Sequence, residues 1–176
     1  MVHQQQNLVR SVPERIGHYI AGFVDGEGSF NVSLAKITWS RGWKILASFN
    51  VSQRDRVVLA KIKDTLRCGT LRTRADGVVY YEVTNFRSLA ETVVPFFQRF
   101  GFLSATKKRN FAIWSQIVFI LYRGEHLTRE GFAKVVALRE QLNVGRGRKR
   151  KYDINSVFRQ RGSSETTRET RPAPEA

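Results

Sequence analysis

The stretch YIAGFVDGEGSF, residues 19–30, joins two different hydrophobic periods with no loop between them. Before Gly28, the apolar residues recur at helical spacing: Ile16, Tyr19, Ile20, Phe23 and Val24. After Gly28, apolar and polar residues alternate, with Phe30, Val32 and Leu34 on one side. The pattern therefore predicts a helix over residues 13–26 that runs directly into a half-buried strand.

Later segments predict two β-hairpins. A second strand covers residues 43–52, with Ile45, Ala47, Phe49 and Val51 on one side. Asp76-Gly77 is a strong turn signal between strands over 70–74 and 78–84. The two hairpins are separated by a predicted helix that starts at Ser52–Asp55 and ends at Leu66. Its inward residues would be Val57, Val58, Ile62 and Leu66.

Further helices are expected after the second hairpin. Ser11 with Glu14 and Ser88 with Glu91 have the spacing of capping boxes, which predicts a helix start at each. Beyond the second of these, helices are predicted to Phe100, over 107–122 and over 128–142. Hairpins separated by helices indicate an α+β fold, in which helices cover one face of an antiparallel sheet.

The chain is expected to form one domain. Residues 1–12 are predicted to be a flexible segment, residues 13–160 a single domain, and residues 161–176 a disordered tail poor in apolar residues. The stretch RGRKRK just before the end of the domain is strongly basic. It would either grip phosphates through Arg146, Arg148, Lys149 and Arg150, or remain a solvated tail.

The charge points to a polyanionic partner. The 176 residues contain 30 Lys and Arg against 15 Asp and Glu, a net charge of +15. Nucleic acid is the commonest partner of such a chain. No segment has the ~18 consecutive apolar residues of a membrane span, so no membrane partner is expected. With one cysteine, a cysteine-based zinc site is excluded, and an intracellular location is expected.

One face of the predicted sheet is polar. Its residues are Ser29, Asn31 and Ser33; Lys44, Ser48 and Asn50; Arg72 and Arg74; and Tyr80, Glu82 and Thr84. Side chains of these types hydrogen-bond base edges, and an antiparallel ribbon can enter the major groove of DNA. The alternative is a merely solvated face, which most antiparallel sheets have. The net charge favours DNA.

The first predicted helix carries a stripe of small residues. His18, Gly22 and Gly26 share one side, with Ala21 and Asp25 beside them. Glycine weakens a helix, so its presence needs a reason. Small residues at this spacing let another backbone approach closely. The stripe predicts either a contact with a second helix or close packing against the chain's own sheet.

Asp25 and Glu27 lie about 200° apart on a continuing helix, so they would not share one ion. If the helix ends at Gly26, Glu27 sits at the negative end of the helix dipole, where a cation is favoured. Glu27 with the Gly26 carbonyl is therefore a candidate Mg²⁺ site, because Mg²⁺ takes few carboxylates and keeps several waters. The alternative is a solvated glutamate.

The segment IAGFVDGEG, from Ile20 to Gly28, resembles the signature motif of the LAGLIDADG homing endonucleases. FNVSQ, TKKRNFAIW, TREGF and LNVGRGRKR resemble further segments of this family, and the resemblance covers about residues 14–150. It implies an αββαββα core whose sheet forms a DNA-binding saddle. Because only one motif is visible, it also implies a homodimer joined through the motif helices.

The resemblance also implies a chemistry and a set of residues. Glu27 and the Gly26 carbonyl would bind Mg²⁺, with Mn²⁺ or Ca²⁺ as alternative occupants. Gln53 would position the attacking water, and either Lys107 or Lys108 would act at the scissile phosphate. Asp25 would be structural.

The implied product is a pseudo-palindromic double-stranded DNA site cut on both strands with 3′ overhangs. The alternatives are an RNA-splicing maturase that binds intron RNA and a DNA-binding protein that does not cleave. The expected location is the cytoplasm or nucleoid of a prokaryote or archaeon, or an organelle.

Overall fold

A computed structural model describes residues 8–37, 42–144 and 152. The elements run helix, strand, strand, helix, strand, strand, helix, followed by two more helices. They are α1 (Glu14–Glu27), β1 (Gly28–Lys36), β2 (Trp43–Gln53), α2 (Arg56–Leu66), β3 (Thr70–Thr73), β4 (Val79–Val83), α3 (Phe86–Phe100), α4 (Ala105–Tyr122) and α5 (Arg129–Gln141). The predicted α+β class and αββαββα order are confirmed.

The four strands form one antiparallel sheet in the order β1-β2-β4-β3. The inner face is apolar, as the two-residue period predicted: Phe30, Val32, Leu34, Ile45, Ala47, Phe49, Val51, Val79, Tyr81 and Val83 are all buried. Strands β3 and β4 are shorter than predicted. They leave out Arg74, Val78 and Thr84, which the sequence pattern had placed in strands. Gly28, the first residue of β1, is paired with Val51, which lies near the end of β2.

The core is richest in aromatic rings directly behind the junction of α1 and β1. Phe30 contacts five other rings, with centroid distances from 4.8 Å to Trp114 to 5.9 Å to Phe97. Aromatic pairs at these separations add stability beyond the area they bury. This cluster fixes the end of the sheet that carries Gly28.

Helix α3 changes its hydrogen-bonding period midway. It begins as α-helix at Phe86–Ser88, widens to a π-helical turn at Leu89–Val93, and ends as α-helix at Val94–Phe100. Glu91, in the wide turn, is buried and accepts hydrogen bonds from the Tyr122 hydroxyl at 2.5 Å and from Arg87 Nε at 3.0 Å.

Neither predicted capping box forms. Helix α1 begins after Pro13, and the Ser11 hydroxyl donates instead to the Leu8 carbonyl at 2.8 Å. Helix α3 begins at Phe86, two residues before Ser88, because the Asn85 side chain accepts from Ser88 N at 3.0 Å and so caps the helix. Val57, predicted to be inward, is 74% exposed, and Leu59 takes the buried position in α2.

Residues 8–12 are packed rather than loose. Residues 8–11 are helical, and Val9 and Val12 are buried. The Arg99 guanidinium donates to the carbonyls of Val9 at 2.7 Å and Arg10 at 2.8 Å, which ties this segment to α3. The expected disordered tail, residues 161–176, lies outside the described residues.

Candidate active site and nucleic-acid interface

Glu27 is fixed at the point where α1 becomes β1. Gly28 N–H donates to the Val24 carbonyl, and β1 starts at Gly28 itself. A Cβ at position 28 would lie 2.4 Å from Val24 Cγ1 and 2.7 Å from the Val24 carbonyl oxygen. Only glycine permits this close turn, and it leaves Glu27 exposed at the last position of the helix.

Lys107 reaches this junction from another helix. Its Nζ donates to the Gly28 carbonyl oxygen at 2.5 Å, and the side chain is partly buried. Burial lowers the pKa of Lys107, although the carboxylates of Asp25 and Glu27 oppose that shift. Lys108 is exposed one residue further along α4. Of the two candidate lysines, the structure therefore brings Lys107 to the glutamate.

Asp25 holds the start of α4 in place. Its carboxylate accepts from Leu103 N at 3.0 Å, Ser104 N at 2.9 Å and the Ser104 hydroxyl at 2.5 Å. Burial raises the pKa of Asp25, but these hydrogen bonds and the nearby Lys107 outweigh it and hold the pKa below its ordinary value. Ser104 in turn caps the helix by accepting from Lys107 N at 3.4 Å.

Asp25 thus has a structural role, as predicted, and the groups that it binds belong to its own chain. Through Ser104, Asp25 positions the helix that carries Lys107. Ser104 was not singled out from the sequence, although a serine three residues before a helical residue is a recognisable cap signal.

Gln53 lies at the same end of the sheet. It is the last residue of β2, two positions beyond Val51, the partner of Gly28. That offset corresponds to about 7 Å along the strand. The Gln53 side-chain oxygen accepts from Arg54 N at 2.8 Å, and its amide NH₂ group is a hydrogen-bond donor. Glu27, Lys107 and Gln53 therefore approach the same end of the sheet.

The outer face of the sheet carries the polar residues that the sequence placed there. In register, Ser29 lies opposite Asn50 and Asn50 opposite Glu82, while Asn31 lies opposite Ser48. A groove of about 510 Å³ opens on this face. It is lined by Ser33, Lys44, Ser48, Glu82 and Thr84, together with Phe86 and His126, which the sequence did not single out.

Two arginines lie at the β3 side of this face. Arg72 is ion-paired with Glu82, and Arg74 donates to the Tyr80 hydroxyl at 3.1 Å. Arg74 follows the end of β3, but its guanidinium also lies 5.6 Å from the Tyr80 ring centroid. The predicted set of polar residues therefore shares one surface.

The predicted interface stripe on α1 is only partly exposed. His18, Gly22 and Gly26 face outward, and a Cβ built at either glycine would meet no atom within 4 Å. Ala21 is 3% exposed because it packs into the core, so its assignment to an interface is wrong. Tyr19, counted among the helix's apolar residues, is 55% exposed and lies beside Gly22.

Close packing within the chain involves a different glycine. A Cβ at Gly17 would lie 2.2 Å from Phe100 Cε1, so Gly17 lets α1 approach α3. The alternative that Gly22 and Gly26 serve internal packing is wrong, because the space beside both is open.

A metal site formed by this chain alone would have few ligands. Among the described residues there is no group of three His, Cys, Asp or Glu side chains that could hold an ion. Glu27 and the carbonyls at the end of α1 are oxygen donors, and the last carbonyls of a helix have no intrahelical partner. That donor set fits Mg²⁺.

Two further expectations concern other parts of the chain. Arg146, Arg148, Lys149 and Arg150 lie outside the described residues. Within the part of the chain that the structure describes, no helix is long and apolar enough to cross a membrane.

Comparison with known proteins identifies one family. A family model described as LAGLIDADG endonuclease matches residues 20–118. Probable intron-encoded endonuclease 2 of Neurospora crassa is 28% identical over 145 residues, which cover 80% of this chain and 32% of that protein. DNA endonuclease I-CeuI of Chlamydomonas moewusii is 26% identical over a match that covers 73% of this chain and 63% of that protein.

Solved structures show the same relationship. The archaeal intron-encoded homing endonuclease I-Vdi141I in complex with DNA gives a TM-score of 0.76 at 31% identity, covering 85% of this chain and 96% of that one. Homing endonuclease I-TnaI gives a TM-score of 0.68 at 27% identity, and the match covers 84% of this chain and 96% of that one. By contrast, the chain spans only 23–32% of the length of three curated relatives from Neurospora crassa and Podospora anserina.

Proposed function

The chain belongs to the LAGLIDADG endonuclease family, and on this basis we propose that it is a site-specific DNA endonuclease that hydrolyses both strands. The observation that carries the proposal is the convergence of Glu27, Lys107 and Gln53 at one end of a sheet whose outer face is polar. I-Vdi141I, which shares this fold, has been solved with DNA bound.

Glu27 and the Gly26 carbonyl would hold a divalent cation, with Mg²⁺ as the proposed ion and Mn²⁺ or Ca²⁺ as alternatives. The site fits because Glu27 is an exposed carboxylate at the negative end of a helix dipole. Bound there, the ion would polarise the scissile phosphate and activate water.

The chain's own residues then have separate tasks. The Gln53 amide is free to donate and orients the attacking water. The Lys107 ammonium, held at the Gly28 carbonyl, stabilises the negative charge that develops on the phosphate oxygens. Asp25 acts indirectly: it accepts hydrogen bonds from Ser104 and so positions α4, the helix that carries Lys107.

A second copy of the chain would complete the site. The exposed surface of α1 offers Tyr19 and the open space beside Gly22 and Gly26 for a symmetric helix contact. A two-fold axis there would bring a second Glu27 beside the first, so that each copy cuts one strand. The product would be a pseudo-palindromic site cut with 3′ overhangs.

The outer face of the sheet would contact the major groove of that site. Its residues are of the types that read base edges, and a net charge of +15 favours binding to the phosphate backbone.

The experiment that tests this function is a selection for cleaved sequences. The full chain is incubated in Mg²⁺ with a library of random duplexes, and the cleaved ends are sequenced. We expect one long, approximately palindromic site, then linearisation of a plasmid that carries it. Binding without cleavage would instead support a DNA-binding protein, and preference for structured RNA over duplex DNA would support a maturase.

A further inference from the structure

Glu82 is an unusual residue for a DNA-binding surface. Among the described residues that point outward from the four strands, the charged ones are Lys44, Arg72 and Glu82. Within that described set, Glu82 is the one acid. A carboxylate facing the phosphates of DNA is repelled unless it receives a hydrogen-bond donor from the duplex.

Glu82 and Arg72 form a contact between neighbouring strands. Arg72 lies opposite Tyr80, and Glu82 lies opposite Thr70, so the two charged residues are diagonal neighbours on β3 and β4. The Arg72 guanidinium donates to Glu82 Oε2, with the two side chains 68% and 25% exposed. Such an exposed pair contributes only about 0–1 kcal/mol to stability. A gain in stability therefore does not explain why Glu82 and Arg72 are paired on this face.

The neighbouring residues leave this pair available. Arg74, the other arginine nearby, is engaged with the Tyr80 hydroxyl and with Asp76 at 3.2 Å. Arg72 and Glu82 therefore present a guanidinium donor and a carboxylate acceptor side by side at the outer surface. Because the ion pair is weak, DNA can replace it at little cost.

The major-groove edge of a G·C base pair matches this arrangement. Guanine presents two adjacent acceptors, O6 and N7, which suit the arginine fork, and cytosine presents the N4 amine as a donor beside them. An A·T pair does not place two adjacent acceptors on its purine. We propose that Arg72 and Glu82 together read one G·C base pair in the DNA contacted by each chain.

This inference rests on the proposed function and adds a source of specificity to it. Arg72 binds the guanine, while Glu82 accepts from the cytosine amine. The other base pairs do not present two adjacent acceptors beside an amine in this order, so at least one of the two charged side chains lacks its partner there. An unpaired Glu82 carboxylate near the phosphates then disfavours wrong sequences.

The test compares base preferences in the same library. Wild type, Arg72→Gln and Glu82→Gln are each used to select bound duplexes. Arg123→Gln is the control, because Arg123 forms a similarly exposed ion pair with Glu125 in the segment between α4 and α5, outside the four strands. Thermal unfolding checks that all four proteins fold.

We expect wild type to require G·C at one position and both sheet variants to lose at least about fivefold of that preference at the same position. Glu82→Gln should also bind unrelated DNA more tightly, and Arg123→Gln should match wild type. The inference is overturned if the two variants relax different positions, retain the preference, or share a position that was A·T. If wild type selects no sequence at all, the proposed function fails as well.

Discussion

The Lys107 ammonium lies 2.5 Å from the carbonyl oxygen of Gly28, the residue that follows Glu27. This contact distinguishes Lys107 from Lys108, which is exposed on the same helix. We expect Lys107→Met to lower the single-turnover cleavage rate by about 10²–10³-fold, because a positioned positive charge is removed. DNA affinity should change little.

Lys108→Met is the matched control and should lower the cleavage rate less than about tenfold. A larger loss of rate in Lys108→Met than in Lys107→Met would show that the wrong lysine has been assigned.

Asp25 and Ser104 connect the helix-strand junction to α4. Asp25→Asn removes one of the two carboxylate oxygens that accept three hydrogen bonds. We expect it to lower the free energy of unfolding by about 1–3 kcal/mol, measured by urea denaturation. It should also slow cleavage, because Lys107 is displaced. Glu27→Gln should leave stability nearly unchanged, and an equal loss of stability in both variants would contradict the distinction between them.

Gly17 and Gly22 separate packing inside the chain from packing between chains. Gly17→Ala would place a Cβ 2.2 Å from Phe100 Cε1, so we expect it to destabilise the fold by about 1–3 kcal/mol. Gly22 has open space, and Gly22→Leu should leave the monomer folded. If copies meet at this helix, Gly22→Leu should weaken dimerisation at least about tenfold in sedimentation equilibrium, because a large side chain prevents close approach of the two helices.

The two substitutions should therefore affect different properties: Gly17→Ala the stability of the fold, and Gly22→Leu the dimerisation. A Gly22→Leu protein that dimerised like wild type would move the interface away from α1. A wild-type protein that stayed monomeric on DNA would remove the dimer from the proposal altogether.

Glu91 should contribute a pH-dependent part of the stability. The Tyr122 hydroxyl is the main cause that lowers the pKa of Glu91; burial opposes it and Arg87 adds to it. A carboxyl whose pKa is depressed in the folded state stabilises the protein above its unfolded pKa, and this stability is lost as the pH falls through the folded pKa. We therefore expect Glu91→Gln to destabilise the protein at pH 7 and to matter less in acid.

The measurement is the free energy of unfolding of both proteins from pH 7 down to pH 3. Parallel curves for wild type and Glu91→Gln would contradict this role for Glu91.

Local periodicity predicted much of this fold. Phe30, Val32 and Leu34 are buried as a two-residue period requires, and the turn at Gly77 adopts a φ of +79°. These features depend on neighbouring residues alone. The placement of Glu27 at a helix end also followed from local signals and from the family motif.

Contacts between distant residues were not predictable. Asp25 accepts from Ser104, the cap residue of a helix 79 residues away, and nothing near Asp25 in the sequence indicates that partner. The sequence left Lys107 and Lys108 equivalent, because choosing between them requires the position of Gly28. Ala21 looked like an interface residue, but it faces the core.

The central claim is that Glu27 carries the cleavage chemistry, and it is tested on a plasmid containing the selected site. Wild type and Glu27→Gln are compared in Mg²⁺ after both are shown to bind that site with similar affinity. We predict that wild type linearises the plasmid and that Glu27→Gln cleaves at least about 10³-fold more slowly, since its amide is a poor ligand for a hard cation. Cleavage by Glu27→Gln at the wild-type rate would contradict the account.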